Sequence, residues 1–282
     1  MHTWRSMSAA FWRQPAGRGG LAGILLLTAL ALGSVIWGPY SPHAITAPAL
    51  APPSLLHPLG ANGLGQDILS QVLAGCRVSL LTSISVSIGA TSLGFCLGAC
   101  AGYYPRRLGV VIMRLVDVLM AIPRLPLIIL LAFFLRPHLA NVILVLVFLS
   151  WPGVARTIRA QVLSLRERDS IRFVRFSGGG FGYVLRHHLL SELLPLLLAK
   201  SALIASYAIV AEAGLSFLGL GDPTLKSWGM MIRGALDYPG LLWSPAWSWW
   251  LLPPSLMVSL AVFSFTLAGY GLDDAMRQRT VE

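Results

Sequence analysis

The stretch Val78-Ser-Leu-Leu-Thr-Ser-Ile-Ser-Val-Ser-Ile-Gly-Ala-Thr-Ser-Leu-Gly-Phe-Cys-Leu-Gly-Ala-Cys-Ala-Gly102 carries no charge over its full length. A helix of about 20 apolar residues crosses the hydrocarbon core of a bilayer, so this run predicts a transmembrane helix. Gly94, Gly98 and Gly102 recur at every fourth position, which puts them on one helical face where a second helix can approach closely. Working outward, similar runs occupy 21–38, 110–135, 139–155, 193–218 and 249–271. The fold expected is all-α and polytopic, with about six transmembrane helices.

Composition agrees. Of 282 residues, 56% are hydrophobic and 11% charged, with a mean hydropathy of +0.72. A water-soluble surface needs roughly a quarter of its residues charged. The net charge of +10 does not indicate nucleic acid, because the basic residues fall in short clusters between apolar runs rather than along a groove lined with stacking aromatics.

Those clusters set the expected orientation. With the N-terminus inside, 15 of the 21 Lys and Arg fall in inner segments, among them Arg5, Arg106, Arg107, Arg156, Arg172, Arg277 and Arg279. Four fall outside: Arg77, Arg136, Lys226 and Arg233. Positive charge is retained on the cytoplasmic side, so both termini are expected there. Trp243, Trp247, Trp249 and Trp250 then mark the outer interface. Residues 1–20 are expected to form a cytoplasmic N-terminal segment, and 21–282 a single transmembrane domain. The basic start and following apolar run resemble a secretory signal, but the run is long for one and further spans follow. It reads as a retained first helix.

Residues able to carry chemistry are few. No Gly-x-x-x-x-Gly-Lys-Ser/Thr loop occurs, so no nucleotide site of that kind is expected. His187 and His188 are adjacent and point about 100° apart on a helix, poor geometry for chelation. Cys76, Cys96 and Cys100 offer no disulfide framework and read as small packing residues. No catalytic residue, metal site or cofactor is expected in this chain.

Charge inside a span is costly and usually functional or paired. Arg124, between Pro123 and Pro126, sits where a helix would break, and Lys200 has no evident local partner; both are candidates to line a pathway. Arg114 and Asp117, three apart, suit an ion pair on one helix face.

The longest polar stretch, 156–188, contains Ser-Gly-Gly-Gly-Phe-Gly at 177–182 between helix-forming flanks. Glycine costs about 1 kcal/mol inside a helix relative to alanine, so a short helix, a sharp break and a second helix are expected. This segment resembles the coupling loop of ABC-importer permeases. Arg166, Glu167 and Asp169 match its lead-in and Gly178 its glycine; Arg172, Phe173 and Val174 depart from the usual Glu-Ala-Ala. The resemblance assigns Arg166, Glu167, Asp169, Arg172, Arg175 and Gly178 to docking on an ATPase.

Two further segments resemble the "C" permeases of dipeptide, oligopeptide and nickel importers. The first runs from His57 through Asp67 to Leu80, with Ala61-Asn62 where Thr-Asp is usual and Gln66 and Gln71 where Arg is usual. The second is Glu212-Ala-Gly-Leu-Ser-Phe-Leu-Gly-Leu-Gly221 with Ser227-Trp-Gly-Met-Met231. The resemblance implies half of a translocation pathway in a bacterial inner membrane, carrying peptides or nickel and metal-chelate complexes. Its implied partners are a second permease subunit, an extracytoplasmic binding protein and two ATPase subunits holding ATP and magnesium. A secondary active transporter is the alternative; it would need mid-membrane carboxylates for ion coupling, and only Asp117 and Glu212 are on offer.

The charge count predicts that reporter fusions near residues 106, 170 and 278 lie in the cytoplasm and those near 60, 137 and 230 outside. Termini on opposite faces would refute it.

Overall fold

The computed structural model describes residues 11–279 apart from Arg13 and Gly38. Arg5 and residues 1–10 of the expected N-terminal segment lie outside the described residues, as do the side chains of Arg175, Arg277 and Arg279. Helix α1 spans Pro15–Trp37 and α2 Ile68–Tyr103. Next come α3 (Arg107–Ala121), α4 (Arg124–Phe134), α5 (Leu139–Leu165) and α6 (Asp169–Phe176). Helix α7 runs continuously over Phe181–Phe217 and contains one π turn at Leu185–Leu189. A short α8 (Trp228–Leu236), then α9 (Trp247–Trp250) and α10 (Leu252–Arg279), complete the chain. Among the described residues, extended pairing is limited to the isolated bridges Ile45–Gln66 and Ala61–Asp67.

Five helical segments are long and apolar enough to cross a membrane: α1, α2, α5, α7 and the continuous α9–α10. The expected third span differs. Its residues form α3 and α4, which meet at 90°. Pro123 has no N–H to continue the ladder and pushes the preceding residue out of the helical region; Ile122 accordingly has φ −82° and ψ 131°. Only as a broken pair do these helices supply the sixth span. Helix α2 also starts ahead of its uncharged run, at Ile68.

Helix α2 is 36 residues long, about 54 Å at 1.5 Å per residue, so it extends beyond an apolar layer of about 30 Å. It packs along α5 and α7, while α10 packs along α1 and α7. Its glycine face lies against α5 as the spacing predicts. A Cβ on Gly94 would sit 2.5 Å from Val154 Cβ, and one on Gly98 2.6 Å from the Ala155 carbonyl oxygen. Without hydrophobic driving force between helices in lipid, this close van der Waals approach is what holds them.

The ion pair expected between Arg114 and Asp117 is replaced by one between helices: Arg156 Nη2 of α5 is 2.5 Å from Asp117 Oδ1 of α3. The tryptophans divide. Trp243 is almost fully exposed, whereas Trp250 is buried, its ring 5.5 Å from that of Tyr238.

Gly98→Val forces a branched side chain into the Ala155 backbone, and overpacking of this kind costs about 1–3 kcal/mol. The purified variant should unfold at a lower temperature than wild type. Gly33→Val, where a Cβ meets nothing within 4 Å, should not. Equal midpoints for the two variants would contradict the packing account.

Candidate functional site

At one end of the bundle the expected helix–break–helix is present. Helix α5 runs to Leu165, a three-residue turn follows, and α6 begins with Asp169, whose charge complements the positive helix start. The break after α6 is a left-handed turn: Gly178 has φ +84°, and the Gly179 N–H donates to the Val174 carbonyl at 2.8 Å. This six-to-one bond closes a helix through a residue with positive φ, a conformation a Cβ disfavours. The space beside Gly178 is open, so the constraint there is conformational rather than steric.

One face of α6 is anchored. Ile171 is buried with Val184 and Leu189 of α7 and Tyr103 of α2. Arg168 pairs with Glu192 on α7, and Arg166 donates to the Gly102 carbonyl at 3.4 Å and to Glu167 at 3.1 Å. Arg172 lies 3.9 Å from the other Glu167 oxygen. The opposite face is open, with Phe173 72% and Phe176 91% exposed beside the exposed Arg172. The structure therefore joins Arg166, Glu167 and Arg172 in one ion-pair chain on α6 and its lead-in, with Asp169 at the helix start and Gly178 at its end.

The far end of the bundle brings the two signature segments together. Trp228, fully buried, donates from its indole to the Val72 carbonyl at 3.0 Å, and a Cβ on Gly75 would lie 2.4 Å from its ring. Asp67 caps α2: one carboxylate oxygen accepts from the Ser70 N–H and hydroxyl, both at 2.7 Å, and the other lies 2.9 Å from His57 Nδ1. Above it is an amide network. Gln66 Oε1 accepts from Asn62 at 3.0 Å, Gln71 at 2.7 Å and Lys226 at 3.4 Å. Lys226 is half-buried, and burial pushes its ammonium below the usual lysine range. Asp222 shows the opposite balance: burial would raise its carboxyl, but hydrogen bonds from Thr224 and the Leu139 N–H, with His138 nearby, hold it below the usual range.

Between these ends, Arg124 stands at the start of α4, its guanidinium carbon 5.6 Å from the Tyr207 ring centroid on α7. Lys200 is seven residues before Tyr207 and so on nearly the same α7 face, about 10 Å away along the axis. The two pathway candidates thus address one side of one helix. Glu212 is buried and accepts a hydrogen bond from Ser216 at 2.6 Å.

Residues 94–282 match the family described as binding-protein-dependent transport system inner membrane component. The chain belongs to this family. It is therefore a multi-pass inner-membrane component of a bacterial transporter that works with further subunits. A protein of Brucella ovis described as a peptide permease is 36% identical over 267 residues, covering 93% of this chain and 87% of that protein. The dipeptide transport system permease protein DppC of Bacillus subtilis is 33% identical over 262 residues, covering 91% and 80%.

The permease end containing Asn62, Gln66 and Gln71 also explains the departures noted in the sequence. An acid at 62 with arginines at 66 and 71 would make a charged cluster; here all three positions carry neutral amides that bond one another. The three changes form one consistent replacement. Sequence reading singled out the two signatures but missed that Trp228 seats on Gly75 and that Lys226 reaches Gln66. The missing information was long-range pairing, which local spacing does not encode.

Asp67→Ala removes a helix cap worth about 0.5–2 kcal/mol and leaves buried His57 and Ser70 groups without an acceptor, at about 1–3 kcal/mol. Thermal unfolding of the purified chain should show a clear loss, smaller for Asp67→Asn. An unchanged midpoint in Asp67→Ala would contradict the capping role.

Proposed function

We propose that this chain is one of two homologous permease subunits in an ABC importer of peptides. In this reading it forms half of the translocation pathway, with no catalysis of its own. Two separate ATPase subunits supply energy from ATP and magnesium, and an extracytoplasmic binding protein delivers the cargo. Both termini and the 156–188 loop face the cytoplasm, and the 39–67 and 218–251 segments face outward. The names of the relatives, peptide and dipeptide permeases, support a peptide rather than a nickel or metal-chelate cargo.

The observation that carries this reading is the form of α6. A merely retained basic loop would have no reason to fix a helix with two phenylalanines outward. This helix is held from behind by Ile171 and the Arg168–Glu192 pair, and it ends in a Gly178 turn of set angle. Such an element can seat in a groove on an ATPase and move as a unit with α5 and α7. The secondary-transporter alternative loses support at Asp117, which is paired with Arg156.

Gly178→Val should leave insertion and abundance unchanged but weaken co-purification of the ATPase subunits and abolish most peptide uptake. Gly178→Asn, which tolerates positive φ, should retain both. Arg172→Glu with Arg175→Glu should weaken the complex more at low salt than at high salt, because exposed charges are screened beyond about 10 Å at 0.1 M. Wild-type assembly and uptake in both the valine variant and the double reversal would refute the coupling role.

A further inference from the structure

Lys226 has no acidic partner within ion-pair distance among the described residues, and its one hydrogen bond is the long contact to Gln66. It is half-buried and lines two clefts. The first, about 310 Å³, is lined by Asn62, Gln71, Met230, Tyr238 and Trp250 as well as Lys226. The second, about 320 Å³, is lined by Lys226 together with His43 and Arg77. Both volumes fall within the range of roughly 300–1,000 Å³ typical of small-molecule sites.

The donors around the first cleft are largely committed. Asn62 Nδ2 is shared between Gln66 and Gln71, and Gln71 Nε2 between Gln66 and the Pro42 carbonyl. An ammonium carries three donors, so Lys226 has hydrogen-bonding capacity to spare. Arg77, which lines the second cleft with Lys226, adds positive potential there. The acid on the cleft, Asp237, is held by Arg233 at 3.2 Å. A monoanion suits one free ammonium, whereas a dianion would also meet Asp237. The remaining wall, of Met230, Tyr238 and Trp250, is apolar and aromatic, suited to a side chain.

We propose that the Lys226 cleft is a binding site for the free C-terminal carboxylate of a peptide, occupied before the peptide enters the bundle. The proposal rests on the peptide-permease reading above and adds a specific contact to it. Substrate entering from the outward end meets an ammonium that is already partly desolvated and has no acidic partner, so less is lost in stripping it of water. Burial has already pushed its titration down, and a bound carboxylate returns it upward.

The chain contains two lysines, Lys200 and Lys226, so ¹³C-dimethylation of the full chain in lipid nanodiscs gives two lysine signals. Lys226→Arg identifies the one from Lys226 by its loss. Trialanine should raise the Lys226 titration midpoint saturably, leave Lys200 unmoved, and lose its effect as the C-terminal amide. No shift with trialanine, an equal shift with its amide, a shift with inorganic phosphate alone, or one that appears only with anionic lipid would overturn the proposal. In the assembled transporter, Lys226→Met should lower uptake of subsaturating trialanine about tenfold or more, the scale of a charge-assisted hydrogen bond. Lys226→Arg should restore most of it, and uptake of the amide should stay unchanged. ATP-driven uptake of trialanine by wild type without the titration shift would overturn the carboxylate site and leave the permease reading intact. Absence of any ATP-driven uptake would overturn both.

Discussion

The close approach of α2 to α5 through Gly94 and Gly98 is the contact on which the rest of the structure depends. In lipid, two helices gain little by hiding apolar surface from each other, and association rests on how nearly their backbones can meet. Glycines at four-residue spacing remove the side chains that would hold α2 and α5 apart. Because α2 is longer than the apolar layer is thick, the same rigid helix reaches both ends of the bundle. Its Asp67 cap organises one end, and Gly102 and Tyr103 receive the loop at the other.

The two ends are built differently. The loop end is charged and open, with α6 fixed on one side and phenylalanines free on the other. The cap end holds the buried amides of Asn62, Gln66 and Gln71, which hydrogen-bond one another. Lys226 stands beside them, a half-buried cation bonded to a neutral amide. A part that docks on a moving partner has to present exposed contacts, whereas a part that receives a small solute has to hold few, well-placed polar groups.

Much of this was legible in the sequence. Apolar runs located the spans, the glycine spacing located the α2 face, and the Ser177–Gly182 cluster located the break after α6. Three features were not legible. Pro123 suggested a break, but the 90° turn between α3 and α4 depends on what each half packs against. Asp117 has a local candidate in Arg114, yet pairs with Arg156, 39 residues on. The four tryptophans look equivalent as an interfacial belt, but Trp250 turns inward onto Tyr238. In each case the deciding neighbour is distant in sequence, and side-chain spacing carries information only about neighbours within a few turns.

The central claim is that this bundle is driven through its loop by ATP hydrolysed in other subunits, not by an ion gradient of its own. Peptide uptake into proteoliposomes containing both permeases, the ATPases and the binding protein tests it most directly. Uptake that requires ATP and persists when proton and sodium gradients are collapsed is the predicted result. Uptake supported by an imposed ion gradient without ATP would contradict the account.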